Sequence, residues 1–120
     1  MEVLSMVVND EFGVMQRVMA VFARKRINVD TIVVGRCEIQ GKSRIVLTVK
    51  DKARAETGVM ELKRLHDVVQ VEIVDGTRHE AYALASNGAG KARLIGSIEE
   101  VDKLLLATKP DQYIRAVNAL

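Results

Sequence analysis

The chain of 120 residues carries 18 basic and 16 acidic side chains, a formal net charge of +2, with 48% apolar but only 3% aromatic residues. The charges are balanced on both sides of Asp75, so bulk attraction to nucleic acid or to a membrane surface is excluded. A single cysteine, Cys37, excludes an internal disulfide and a cysteine-based zinc cage, and the N-terminus shows neither a signal pattern nor a membrane-length apolar run; the expected setting is a reducing cytoplasm.

Residues 2–8 (Glu-Val-Leu-Ser-Met-Val-Val) are short, apolar and rich in β-branched side chains, and they stop at Asn9-Asp10, which predicts a buried strand. From Val14 the period changes: Met15, Val18, Met19 and Phe22 fall at helical spacing, and the helix runs into the basic cluster Arg24-Lys25-Arg26. Residues 28–39 return to strand character. Gly41-Lys42 makes a turn, and Ile45, Leu47 and Val49 alternate beyond it as the second arm of a hairpin. A second helix is expected through Ala55, Val59, Leu62 and Leu65, with Gly58 as its weak point, and a fourth strand over Val68 to Val74. Strand, helix, strand, strand, helix, strand is the ferredoxin-like βαββαβ order, an α+β fold with a four-stranded antiparallel sheet and two helices on one face. The other face also carries apolar residues, so a second subunit is expected to cover that face or an edge.

The domain reading is therefore 1–75 for this unit and 76–120 for a short mixed extension. In the extension, His79 to Ala85 and Ala92 to Ile95 read as strands around the loop Ser86 to Gly90. Ser97-Ile98-Glu99-Glu100 reads as a capping box opening a helix through Ala107. Pro110 ends it, and Asp111 to Leu120 reads as a short second helix.

The stretch with chemical content is the turn Asn9-Asp10-Glu11-Phe12-Gly13-Val14. A polar strand end, a glycine and a helix start leave amide N–H groups unpaired at the positive end of a helix dipole, which suits a small carboxylate. Asn28 adds an amide able both to donate and to accept. Read separately, the turn is also an ordinary strand-to-helix connection, and Asn28 an ordinary strand-entry residue. Asn87-Gly88-Ala89-Gly90-Lys91 lacks the spacing and the hydroxyl of a phosphate loop. His66 and His79 are isolated, and no Ser-His-Asp, Cys-His or paired-carboxylate arrangement is present, so no catalytic residue and no metal ligand is assigned. The predicted central strands carry no Phe, Tyr or Trp, which excludes base stacking of the kind RNA-recognition modules use.

Asp10 to Met15, with Arg17-Val18, Phe22, the basic run 24–26, Ile27-Asn28-Val29, Val33-Val34-Gly35 and Ser43-Arg44, resembles the ACT domain. Within it, residues 1–75 are similar to the small regulatory subunits of acetohydroxyacid (acetolactate) synthase. The resemblance implies a homodimer of side-by-side sheets and a branched-chain amino acid, usually valine, at the subunit interface. It implies that the backbone around Asp10, Phe12, Gly13 and Val14 holds the ligand's carboxylate. Asn28 of the partner subunit would take the polar end, and Met15 and Val29 would line the side chain. It further implies no chemistry in this chain: the large catalytic subunit, which transfers acetaldehyde groups, carries thiamine diphosphate, magnesium and FAD, and this chain activates it and feeds the amino-acid signal back. Two positions depart from the family pattern. Asp10 stands where valine-responsive members carry Asn, so it would meet the ligand's ammonium, cap the helix or repel the carboxylate; Phe12 replaces a small residue or proline. Longer members carry a complete second domain, for which 76–120 is too short. A stand-alone ACT-type sensor or oligomerisation module is the other class that fits the sequence.

Overall fold

A computed structural model describes all 120 residues. Its elements in chain order are β1 (Glu2–Asn9), α1 (Val14–Arg24), β2 (Thr31–Arg36), β3 (Lys42–Val49), α2 (Lys52–Leu62), β4 (Val68–Val74), β5 (His79–Ser86), β6 (Lys91–Gly96), α3 (Ile98–Thr108) and β7 (Gln112–Ala119). The first six make the ferredoxin-like unit: a four-stranded antiparallel sheet in the order β2-β3-β1-β4, with α1 and α2 on one face.

Strand periodicity sorts the residues between two faces. Leu4 pairs with Leu47 and Ile73, and Met6 with Ile45 and Val71. These point toward the helices and meet Val14, Val18, Val21 and Phe22 of α1 and Ala55 and Leu62 of α2 in one core cluster. The core is aliphatic apart from Phe22, as the low aromatic content requires. α2 starts at Asp51, whose carboxylate accepts from the amides of Ala53 and Arg54.

The alternate residues of the same strands, Val3, Val46 and Val74, face the other way and are also buried. The expectation of a second subunit over this face or an edge is corrected for the face. The chain covers it with its own C-terminal layer, a three-stranded antiparallel sheet β6-β5-β7 carrying α3. Val3, Val46 and Val74 form one cluster with Ala81, Ala83, Ala85, Val101, Leu105, Val117 and Ala119. The small side chains of β5 allow this close approach. On its outer face the C-terminal sheet leaves Tyr82, Leu84, Ile95 and Ile114 exposed.

The capping box is present: the Ser97 hydroxyl accepts from the Glu100 amide at 3.1 Å, and Glu100 Oε1 accepts from the Ser97 amide at 3.1 Å. The short helix expected over Asp111 to Leu120 is corrected to strand β7, in register with β5 from His79 opposite Ala119 to Ser86 opposite Gln112. The alanines and arginine of this segment have good helix propensity, but Tyr113, Ile114 and Val117 suit a strand, and pairing with β5 with burial of Val117 and Ala119 decides. The extension therefore contains one helix. Residues 37–41 form the hairpin turn, so Cys37 and Ile39 lie beyond β2.

Candidate functional site

β1 ends at Asn9, whose side-chain oxygen accepts from Lys42 Nζ at 2.6 Å, and the Asp10 amide donates to the Gly41 carbonyl at 2.9 Å. The chain then tightens, with Val14 N donating to Glu11 O, and α1 starts from Gly13. Gly13 has φ +83°, a left-handed conformation in which a side chain costs about 1–2 kcal/mol. No side chain caps α1 and its first turn holds no acid, so the positive end of its dipole is left without an anionic partner. Asp10 is thus not the helix cap.

Directly over this turn lies the guanidinium of Arg17. A Cβ built on Gly13 would come within 2.9 Å of Arg17 Nη1. Arg17 Nε in turn donates to Asp67 Oδ2 at 2.6 Å. Asp67 is buried just before β4, and its other oxygen has no hydrogen-bond partner. The hydrogen bond from Arg17, reinforced by its charge, holds the Asp67 carboxyl below the usual carboxylate range despite burial, and the same bond raises the Arg17 guanidinium further above its already high value. A fixed cation therefore stands beside an uncapped helix start, an arrangement suited to a carboxylate.

Among the other residues named from the sequence, Phe12 is 99% exposed at the tip of the turn and fills no cavity of its own chain. Val14 is committed to the core through its side chain, leaving its backbone for any ligand, and Met15 packs against the edge of the core. Asn28 and Val29 lie at the other end of the sheet. Asp30, the next residue, donates its amide to the Thr48 carbonyl, whereas Asp10 binds Gly41 across the hairpin. The eleven-residue helix α1 separates the two segments by roughly 16 Å, so one protomer does not bring Gly13 and Asn28 together. Asn28 and Val29 border a cavity of about 380 Å³ together with Arg26, Asp30, Lys50 and Arg54. Arg54 Nη1 donates to the carbonyls of Lys25 and Arg26, each at 3.1 Å, closing the end of α1. No group of three or more His, Cys, Asp or Glu residues is placed to hold a metal ion, and no helix is long and apolar enough to cross a membrane.

Arg17 is the functional candidate that the sequence reading did not assign. Its spacing carried a signal, since a residue four positions after the turn glycine returns to the same side of the helix. Asp67, fifty positions away, carried none.

Comparison with known proteins shows the family of the chain. The family model of the AHAS small subunit-like ACT domain matches residues 4–70. The chain is 36% identical over 70 residues to the acetolactate synthase isozyme 1 small subunit of Escherichia coli K12, covering 58% of this chain and 73% of that protein. It is 34% identical over 80 residues to the chloroplastic acetolactate synthase small subunit 1 of Nicotiana plumbaginifolia, covering 67% of this chain but only 17% of that longer protein. Among solved structures, the acetolactate synthase small subunit of Thermotoga maritima superposes with a TM-score of 0.77 over 99% of this chain and 95% of that one, at 23% identity. The ligand-free regulatory subunit of aspartate kinase from Thermus thermophilus superposes with a TM-score of 0.59 over 90% of this chain and 89% of that one, at 16% identity. These two likenesses concern the fold. With its ACT unit matched over residues 4–70, the chain belongs to the family of ACT domains typified by the small subunit of acetohydroxyacid synthase.

Proposed function

We propose that this chain is a regulatory subunit of acetolactate synthase. It binds a branched-chain amino acid, valine first among them, between two copies of itself, and it activates the large catalytic subunit and returns the amino-acid signal to it. Thiamine diphosphate, magnesium and FAD belong to that partner, which performs the acetaldehyde transfer; this chain performs none. A cytoplasmic location follows from the same reading.

The observation that carries the proposal is the placement of the two candidate segments at opposite ends of one sheet whose edge strand is β2: Asn28 leads into β2, and the turn after β1 meets the β2–β3 hairpin turn through the Asp10 amide and the Gly41 carbonyl. Ile32 and Val34 are exposed there. A two-fold pairing of β2 with its counterpart runs antiparallel, so the Asn28 end of each copy meets the Gly13 end of the other. That builds two equivalent sites from halves that neither copy completes alone. The amides at Gly13 and Val14 and the Arg17 guanidinium take the ligand carboxylate, and Asn28 of the partner subunit takes its polar end. Met15 and Val29 border the side chain, and Asp10 would meet the ammonium. Because the ligand bridges two subunits, its binding changes the free energy of their arrangement, and a catalytic subunit that prefers one arrangement responds.

Calorimetric titration with valine, leucine and isoleucine, together with solution mass, tests the reading. Saturable binding of one of them to a dimer is expected. Asn28→Ala is expected to weaken that binding and leave the dimer intact. A folded dimer that binds none of the three but retains a large thiamine-dependent subunit in a pull-down leaves an activator without an effector. Absence of both interactions identifies the chain as a stand-alone module.

A further inference from the structure

One partly buried cation lies outside the site just described. Arg115 stands on β7 opposite Ala83, with its side chain only 13% exposed. Its Nε donates to Asp102 Oδ1 at 2.7 Å and its Nη2 lies 3.4 Å from Asp102 Oδ2, both on α3. The same Nη2 lies 3.4 Å from Asp30 Oδ2. Nη1 is buried without a partner. One guanidinium therefore joins β7, α3 and the loop that carries Asn28.

Stability is a poor explanation for this arrangement. A guanidinium this far from solvent loses much of its hydration, and here one of its nitrogens recovers no hydrogen bond; replacing a whole ion pair of that kind by apolar side chains of similar volume is often neutral or stabilising. What the planar fork supplies is geometry, because two carboxylates can be held at a fixed angle only by a group with several coplanar donors. Asp30 is also fixed by the hydrogen bond that its backbone amide donates to the Thr48 carbonyl at 2.8 Å. The loop 28–30 is thus clamped between β3 and Arg115.

We infer that Arg115 is a positioning residue for the effector site: it holds the Asn28 loop where the amino acid is met and ties that loop to α3, so that occupancy of the site is felt by the C-terminal layer. The inference rests on the effector reading above and adds to it a residue that touches no ligand.

The test is calorimetric titration of the full chain with valine, leucine and isoleucine, run beside thermal unfolding, for wild type, Arg115→Met, Arg115→Lys and Asp102→Asn. Arg115→Met is expected to fold with a lower melting temperature, since it leaves the Asp30 and Asp102 carboxylates unpaired, and to weaken effector binding roughly tenfold, the size of a coupling between contacting groups. Arg115→Lys restores only part of the affinity, since an ammonium cannot span both carboxylates in one plane. Asp102→Asn, on a partly exposed side chain of an element away from the site, weakens binding in the same direction. In wild type the effector is expected to slow hydrogen exchange in α3, and in Arg115→Met it no longer does so. Unchanged affinity in a folded Arg115→Met or in Asp102→Asn overturns the inference and leaves the effector site standing. A wild-type chain that binds none of the three amino acids overturns both.

Discussion

Gly13 concentrates several constraints in one residue. Its left-handed φ, the Arg17 guanidinium above it and the uncapped start of α1 coincide, so a side chain there is strained and obstructs the anion position. Gly13→Asp is expected to fold but lose effector binding, because its carboxylate would occupy the place of the ligand's and pair with Arg17; calorimetry on a folded variant checks this, and retained affinity would exclude the turn as the site. Asp67 gives a pH signature. Its folded value lies below the ordinary carboxylate value, first because Arg17 donates to it. Its stabilisation is therefore fully present above about pH 4 and fades as acid protonates it through the lowered value. Asp67→Asn is expected to be less stable near neutrality and to lose less stability on acidification than wild type, as urea titrations between about pH 5 and 2 would measure.

At the scale of elements, Gly58 is the informative residue. Glycine inside a helix costs about 1 kcal/mol relative to alanine, and the sequence shows only that cost. The structure supplies the compensation: a Cβ at Gly58 would sit 3.2 Å from Cε1 of Phe22, so the bare backbone of α2 is what lets the one core aromatic lie between the helices. Gly58→Val is expected to destabilise the chain by about 1–3 kcal/mol through overpacking, read as a lower urea midpoint with an unchanged slope. β7 teaches the complementary lesson. Its composition is mixed, with alanines and an arginine that suit a helix beside Tyr113, Ile114 and Val117 that suit a strand, and β5 decides by offering a complete ladder and a buried face. Periodicity in this eight-residue segment, where Arg115, Val117 and Ala119 share one face and Ile114 takes the other, is too faint to decide from sequence alone.

Across the whole molecule, the second core cluster decides the architecture. It takes Val3, Val46 and Val74 from the ACT sheet and Ala81, Val101 and Val117 from the C-terminal layer. The two layers share buried surface, so they are expected to unfold together. Val101→Ala removes two fully buried methyl groups and is expected to cost about 2–3 kcal/mol. Circular dichroism and hydrogen exchange at β1 should then show one common transition, whereas separate transitions would show that the layers are independent.

The short apolar run of residues 2–8, the alternation of 45–49, the helical stripe from Met15 to Phe22 and the Gly41 turn were enough to specify the βαββαβ unit, because each is a local pattern. The Asp10-to-Gly13 turn and the Ser97 capping box were legible for the same reason, as both are made by residues a few positions apart. Only the tertiary structure paired Arg17 with Asp67, set Arg115 between Asp30 and Asp102, turned 112–119 into a strand and laid the chain's own C-terminal layer over the sheet face assigned to a partner. Those outcomes depend on contacts between residues far apart in sequence, where no periodicity links one side chain to the other and the exclusion of water from a shared surface selects the arrangement.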